Sequence, residues 1–231
     1  MSGLRGATDI GAYLVSARSS AEYRVMFALT DDDLRGRVLD CPGGGASFTA
    51  VARAHGTAAV AVDPVYADPP RELTARLETE LTRGSAWATA NAERYVWDFY
   101  GSAEAHARIR RESARAFTAD LLAARGGYVA AALPHLPFPD GVFDLVLSSH
   151  LLFTYADRLD AGFHLAARRE LARVGRQVRV YPLVDQAGRP LPELLREVLE
   201  GLRAAGVGAD LVDVGYEFQR GARSVLRLGT G

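Results

Sequence analysis

The chain has 231 residues, of which 48% are hydrophobic and 24% charged, with a formal net charge of −1. This length and apolar fraction suit one α/β domain with an insertion and argue against two equal domains. The balanced charge argues against nucleic acid as a partner, because proteins that bind it usually carry a basic excess. All 27 basic residues are arginines, which excludes lysine-dependent chemistry such as a Schiff base or a phosphate-binding P-loop.

The N-terminus lacks an apolar signal region, and no apolar run approaches the length needed to span a bilayer. We therefore expect a soluble, cytoplasmic protein without a membrane partner. The single cysteine, Cys41, rules out an intrachain disulfide and a cysteine-rich zinc site. Its place after an apolar strand predicts a small packing residue.

Strand and helix patterns alternate along the chain, which is typical of a doubly wound parallel sheet. The first helix is predicted over residues 9–28, because Tyr13, Ala17 and Ala21 share a helical face, and we expect this segment to cover a ligand cleft. Strands are predicted near residues 37–41, 58–62, 127–131, 143–148, 176–181, 209–214 and 222–228. The last two predict an antiparallel hairpin that closes one edge of the sheet.

A helical insertion is predicted after the second strand, over residues 67–125 of the single domain 1–231. Apolar stripes predict helices at 70–83 and 103–124. Between them, residues 94–101 hold the densest aromatic cluster of the chain. This cluster is either the insertion's own small core or part of a lid over a substrate.

Four arginines lie on the helix predicted over residues 103–124, and they form either a solvated face or an anion-binding face. They are Arg108, Arg110, Arg111 and Arg115.

The most informative segment is residues 38–48, with the sequence VLDCPGGGASF. A short strand delivers Asp40 and is followed by Gly43, Gly44 and Gly45, where the missing Cβ atoms let the backbone come close to a ligand. Phe48 occupies the position of the third glycine of a dinucleotide motif, which argues against NAD. Asp63 ends the next strand and meets the requirement for a second acid that holds ribose hydroxyls. The segment therefore predicts a site for a nucleoside-bearing cofactor.

This segment resembles motif I of the class I S-adenosylmethionine (SAM)-dependent methyltransferases, Asp/Glu-x-Gly-x-Gly-x-Gly. Asp40 and Gly44 match the motif, whereas Pro42 and Ala46 replace two of its glycines. Residues 136–150 also resemble the stretch around the fourth strand of that family. The resemblance covers most of the chain from about residue 36. It implies a Rossmann-like, mostly parallel seven-stranded sheet with an antiparallel C-terminal hairpin, and SAM as the cofactor.

The resemblance also implies cofactor contacts at the carboxyl ends of the first four strands. The glycines would approach the amino-acid part of SAM, Asp40 would support their loop, and Asp63 would accept from the ribose. Ala132 stands where the family often has an aspartate that meets adenine. The predicted cofactor-binding residues are Asp40, Pro42, Gly43, Gly44, Asp63, Ala132, Leu133 and Ser148.

Methyl transfer needs alignment above all, and a base where the acceptor must lose a proton. His150 follows the fourth strand and is the best-placed base, because an ordinary histidine pKa suits this role; the alternative is a structural histidine at the turn. Asp157 is as good a candidate for the N-cap of the next helix as for a site residue. The residues predicted to contact substrate are Trp97, Tyr100, Tyr155 and Tyr216.

We therefore expect a SAM-dependent methyltransferase that acts on an oxygen or nitrogen of a small molecule. No carboxylate cluster for a metal, no Asn/Asp-Pro-Pro-Tyr motif and no cysteine placed as a nucleophile occur in the sequence. The alternatives are a methyltransferase of RNA or peptide and a SAM-fold protein that binds without turnover. The sequence leaves a homodimer open.

Overall fold

A single sheet of seven strands organises the chain in the computed structural model, which describes residues 13–123 and 126–229. In chain order the strands are β1 Arg37–Asp40, β2 Ala58–Val62, β3 Tyr128–Val129, β4 Phe143–Ser149, β5 Gly175–Tyr181, β6 Gly208–Asp213 and β7 Ser224–Gly229. Their order across the sheet is β3-β2-β1-β4-β5-β7-β6. The first five run parallel, and β7 lies antiparallel between β5 and β6. The predicted fold class and all seven strands are confirmed.

Helices cover the sheet on both sides and form the insertion after β2. They are α1 Ser20–Met26, α2 Phe48–Ala54, α3 Pro70–Ala90, α4 Ala103–Leu122, α5 Ala161–Val174 and α6 Pro192–Ala204, with 3-10 turns at Pro64–Ala67 and Ala92–Arg94. The inserted helices α3 and α4 pack through Leu73, Leu77 and Phe117, which are at most 1% exposed. Since α3 runs seven residues beyond the predicted range, its last two turns reach over the sheet edge where the site lies.

The predicted first helix is largely wrong. Residues 13–19 are not helical, and residues 9–12 lie outside the described part of the chain. The helix begins only at Ser20, because Ser19 and Glu22 form a capping box in which each side chain accepts a backbone N–H of the other. We call residues 13–19 the N-terminal strap.

The strap runs across the glycine cluster rather than beside it. The carbonyl of Ser16 accepts from Gly45 N at 3.0 Å, and that of Arg18 accepts from Ser47 N at 3.0 Å. The apolar spacing that predicts a helix here reflects contacts of an irregular segment with the core, which includes Val15 and Ala17.

The core fills the space on both faces of the parallel strands. Val38, Leu39, Val146 and Leu147 are fully buried, as expected of strands covered by helices on both sides. The turn after β4 leads into α5, whose N-cap is Asp160 and not Asp157, since the Asp160 carboxylate accepts from Phe163 N at 2.8 Å. In the described part of the chain, no helix is long and apolar enough to cross a membrane.

Candidate active site

One cavity of about 520 Å³ lies at the carboxyl ends of the parallel strands. Loops that follow β1, β2, β3 and β4 form its floor, and α3 and the N-terminal strap form its roof. Doubly wound sheets place their ligands at this edge, and the volume lies within the range of small-molecule sites.

The glycine loop between β1 and α2 is shaped by missing side chains. A Cβ on Gly43 would lie 2.6 Å from the Tyr66 hydroxyl and 2.8 Å from Ala61 Cβ, and Gly44 has a φ of +51°. Every N–H from Gly43 to Ser47 already donates to an acceptor of the protein. A ligand at this loop therefore meets it through close approach rather than through loop N–H donors.

Asp63 ends β2 and lies on the cavity wall. Its Oδ1 accepts from Val65 N and its Oδ2 from Gly44 N, both at 3.0 Å. Burial raises its pKa, although both backbone hydrogen bonds oppose that rise. Each carboxylate oxygen keeps a second lone pair for a ligand hydroxyl. Ala132 and Leu133, after β3, line the same end of the cavity with Pro42.

Two of the predicted cofactor contacts lie behind the wall. Asp40 and Ser148 are each 1% exposed, and among the described residues neither lines the cavity. Asp40 accepts from the Tyr23 hydroxyl at 3.0 Å, and burial raises its pKa well above the ordinary value. Strand side chains alternate between faces, so Ser149 takes the wall position instead of Ser148.

His150 follows β4, lies on the cavity wall and adopts a φ of +52°, which is uncommon for residues other than glycine. Its backbone N donates to Tyr181 O at 2.7 Å, and its Nδ1 is 2.9 Å from the Ser149 hydroxyl. Burial, with smaller contributions from Arg18 and Arg110, lowers its pKa well below the ordinary value. The imidazole is therefore neutral near pH 7 and a weaker base than an ordinary histidine.

Tyr155 joins the β4 loop to the strap. Its hydroxyl accepts from Leu14 N at 3.0 Å, and its ring lies 4.6 Å from that of Tyr13. Both rings line the cavity. Tyr155 thus fixes the position of the N-terminal strap and also lines the cavity.

Arg18, a strap residue on the cavity wall, is a site residue that sequence reasoning missed. Its Nη1 lies 3.3 Å from Glu22 Oε1, and its Nε has no hydrogen-bond partner in the described part of the chain. Nothing in the sequence distinguishes it from the other arginines.

A buried ion pair lies behind the strap. Arg110 donates to both carboxylate oxygens of Glu22, at 2.5 and 2.8 Å, and also to Ala17 O, Tyr100 and His106. These bonds use all five guanidinium N–H groups. Burial alone would raise the pKa of Glu22, but Arg110 and Arg18 hold it at about 2. Arg110 is therefore not part of a solvated or anion-binding face, whereas Arg108, Arg111 and Arg115 are exposed.

Tyr100 and Tyr216 belong to this buried cluster. Both hydroxyls contact the Glu22 carboxylate, and they lie 3.0 Å from each other. Among the described residues, they and Trp97 are absent from the cavity wall. The three residues are therefore not placed to contact a substrate in the cavity. The hydroxyls of Tyr100 and Tyr216 face Glu22, and the ring of Trp97 packs against Tyr95 and Phe218.

The aromatic end of the cavity is a stack of three rings, those of Tyr95, Phe218 and His106. Phe218 lies between the other two, with centroids 4.5 Å from Tyr95 and 4.9 Å from His106 and interplanar angles of 19° and 20°. All three line the cavity, and Trp97 meets them edge-on. The aromatic cluster of the insertion is thus both a local core and a wall. Sequence reasoning missed Phe218 and His106, which come from the loop after β6 and from α4.

The fold, with an acid and a glycine loop at the carboxyl ends of its first two strands, is typical of α/β proteins that bind a nucleoside cofactor. Residues 80–177 match the family described as "Methyltransferase domain", a match that covers less than half of the chain and begins after the glycine loop. The match supports assignment to the class I SAM-dependent methyltransferases, as predicted. The protein is on this basis an enzyme, and the cofactor that the domain implies is SAM.

Relatives and solved structures give the following similarities. The uncharacterized protein MJ0045 of Methanocaldococcus jannaschii is 26% identical over 90% of this chain and 92% of its own length. The [4+2]-cyclase SpnF is 19% identical with a TM-score of 0.43, over 84% of this chain, which spans 59% of SpnF. A SAM-dependent methyltransferase from Aquifex aeolicus is 16% identical with a TM-score of 0.40, over 84% of this chain and 82% of its own.

Proposed function

We propose that this enzyme transfers the methyl group of SAM to an oxygen or nitrogen of a small molecule. The observation that carries the proposal is the cavity of about 520 Å³ beneath α3 and the strap. One end, here called the cofactor end, is lined by Asp63, the glycine loop, Ala132 and Leu133, and the other is the aromatic end. A site of this size suits a cofactor beside a small acceptor rather than a polymer. The net charge of −1 also disfavours RNA.

The cofactor end fits SAM in three respects. Asp63 keeps lone pairs for the ribose hydroxyls, and the glycine loop admits close approach of the methionine part. The backbone around Ala132 and Leu133 would flank adenine. Arg18 lines the cavity with a side chain that is 11% exposed, and it would bind the methionine carboxylate through charge-assisted hydrogen bonds.

SAM supplies an already activated methyl group when bound. The enzyme's own residues then have to hold the acceptor atom in line with the methyl group and exclude water. This alignment supplies much of the rate acceleration. The neutral imidazole of His150, oriented by Ser149, would accept the proton that the acceptor loses.

Two measurements test the proposal. Calorimetry should detect binding of SAM and of S-adenosylhomocysteine to the full chain, and mass spectrometry of a small-molecule mixture should find a product heavier by one methylene unit. No binding of either nucleoside would overturn the proposal. Methylation confined to parallel RNA or peptide samples would replace its substrate class, and binding without any transfer would favour a cofactor-binding protein.

A further inference from the structure

The imidazole of His106 has a fixed tautomer. Its Nε2 lies 3.1 Å from Arg110 Nε, which can only donate, so Nε2 must be the unprotonated nitrogen. Burial and the charge of Arg110 lower the pKa of His106 to about 2, so the ring is neutral. Its single proton is therefore on Nδ1, which makes Nδ1–H a donor.

This donor has no protein acceptor. No hydrogen bond from Nδ1 is formed to the described part of the chain, and Nδ1 is not one of its fully buried unpaired atoms. The ring, 5% exposed, lies on the cavity wall, so this donor faces space that a ligand or an ordered water can fill.

A second donor lies at the other end of the ring stack. The Tyr95 hydroxyl accepts from Trp87 Nε1 at 2.9 Å, and that nitrogen can only donate. The hydroxyl's own hydrogen therefore remains unused. Burial raises the pKa of Tyr95, so the hydroxyl stays protonated. Trp87 and Tyr95 line the cavity with Phe218, which makes this wall aromatic and apolar.

We infer that the aromatic end binds an aromatic, planar acceptor molecule that presents a carbonyl or similar hydrogen-bond acceptor to His106 Nδ1–H, with the Tyr95 hydroxyl as a second donor. His106 is then a specificity-determining residue. The inference rests on the proposed function for the identity of this molecule as the methyl acceptor.

The test uses two probes that differ in one carbonyl oxygen, 4-hydroxyacetophenone and 4-ethylphenol. Each is titrated by calorimetry into the full chain, with and without S-adenosylhomocysteine. The wild type should prefer the ketone by about fivefold, the usual value of one neutral hydrogen bond. Equal affinities, or no binding of either probe up to its solubility limit, would overturn the inference.

The variant His106→Met removes the donor, because methionine has no N–H or O–H group and its thioether sulfur is a weak acceptor that can take the place of Nε2 towards Arg110. It should bind both probes equally. His164→Met is the matched control, since His164 is also buried, pairs with an arginine and does not line the cavity. Persistence of the ketone preference in His106→Met would contradict the assignment.

Nitrogen-15 NMR provides a readout that does not depend on stability or activity. The His106 ring should show a protonated Nδ1, and its Nδ1–H signal should shift with the ketone and not with 4-ethylphenol. A proton on Nε2 would overturn the inference. Binding of S-adenosylhomocysteine is measured separately, so loss of cofactor binding with an intact ketone preference would remove the proposed function and leave the donor assignment standing.

Discussion

The two ends of the cavity are built on different physical grounds. At the glycine loop, every N–H from Gly43 to Ser47 is already bonded within the protein, and the shape comes from absent Cβ atoms. At the aromatic end, stacked rings leave the donors of His106 and Tyr95 unused. The shape of the backbone is enough to bind a cofactor, which is the same molecule in every reaction cycle. Side-chain hydrogen-bonding groups are needed to select one substrate among similar molecules. The Glu22–Arg110 pair connects the two ends, because Arg110 bonds both the strap and His106.

The largest effect should come from breaking this connection. Glu22→Gln leaves Arg110 buried without its counter-charge, and removing one partner of such a pair costs about 3–5 kcal/mol. Urea unfolding measures the loss of unfolding free energy. Glu104→Gln is the control, because Glu104 is an exposed residue in the first turn of α4. Similar losses in the two variants would mean that the ends are not coupled through Glu22.

The pH dependence of stability tests the same Glu22–Arg110 pair. The folded pKa of Glu22 is lowered to about 2 from 4.5, so its contribution is complete above about pH 4.5 and is lost as the pH falls towards 2. The wild type should lose about 3 kcal/mol more than Glu22→Gln over that range. Parallel stability profiles would contradict the assigned pKa.

His150 lies on the cavity wall, and His150→Asn should lower kcat about a hundredfold if His150 takes the proton. Asparagine tolerates the positive φ, so the fold should remain. Because the pKa of His150 is lowered well below its ordinary value, the wild-type rate should be flat between about pH 6 and pH 8. A rate that rises through the ordinary histidine pKa would contradict the lowered pKa, and an unchanged kcat in His150→Asn would contradict the role as base. His55→Asn, at an exposed position after α2, serves as the control.

Gly43→Ala tests the shape of the cofactor end. Its Cβ would overlap Ala61 Cβ and the Tyr66 hydroxyl, so we expect a loss of about 2 kcal/mol in stability and weaker binding of S-adenosylhomocysteine. Gly215→Ala, where a Cβ meets nothing within 4 Å, should change neither. Unchanged cofactor affinity in Gly43→Ala would show that close approach to this loop is not needed.

The smallest effect on binding is expected at Arg18, the cationic side chain that we propose for the cofactor end. Arg18→Met should weaken S-adenosylhomocysteine by about tenfold, the lower range for a hydrogen bond to a charged group. Methylthioadenosine lacks the carboxylate and should bind both proteins equally. Calorimetry with the two ligands separates carboxylate binding from a general disturbance of the site. Loss of affinity for methylthioadenosine as well as for S-adenosylhomocysteine would contradict the role of Arg18.

The sheet could be predicted from the sequence because its signals are local. Buried strands are short apolar runs, and Asp63 ends one of them beside the glycine cluster. Apolar spacing predicts a helix over the strap because it does not separate a helix from an irregular segment that touches the core. The capping pair Ser19 and Glu22 is the sequence signal that marks the true helix start.

The aromatic end could not be predicted because its members meet only in the fold. Arg110 reaches Glu22 across 88 positions, and Tyr216 reaches it across 194. Periodicity on one helix says nothing about such partners. The sequence therefore predicts Arg110 on a solvated or anion-binding face, and Tyr100 and Tyr216 as substrate contacts.

The strap has a consequence for turnover. It lies over the glycine loop and is tied down by backbone hydrogen bonds of Leu14, Ser16, Ala17 and Arg18, and its Val15 and Ala17 are buried. Lifting the strap would expose these two residues and break the bond between Ala17 O and Arg110, but the strap belongs to no strand, so the sheet would stay intact. We expect the exchange of spent cofactor for fresh to follow this opening, which makes product release a candidate for the slow step of the cycle.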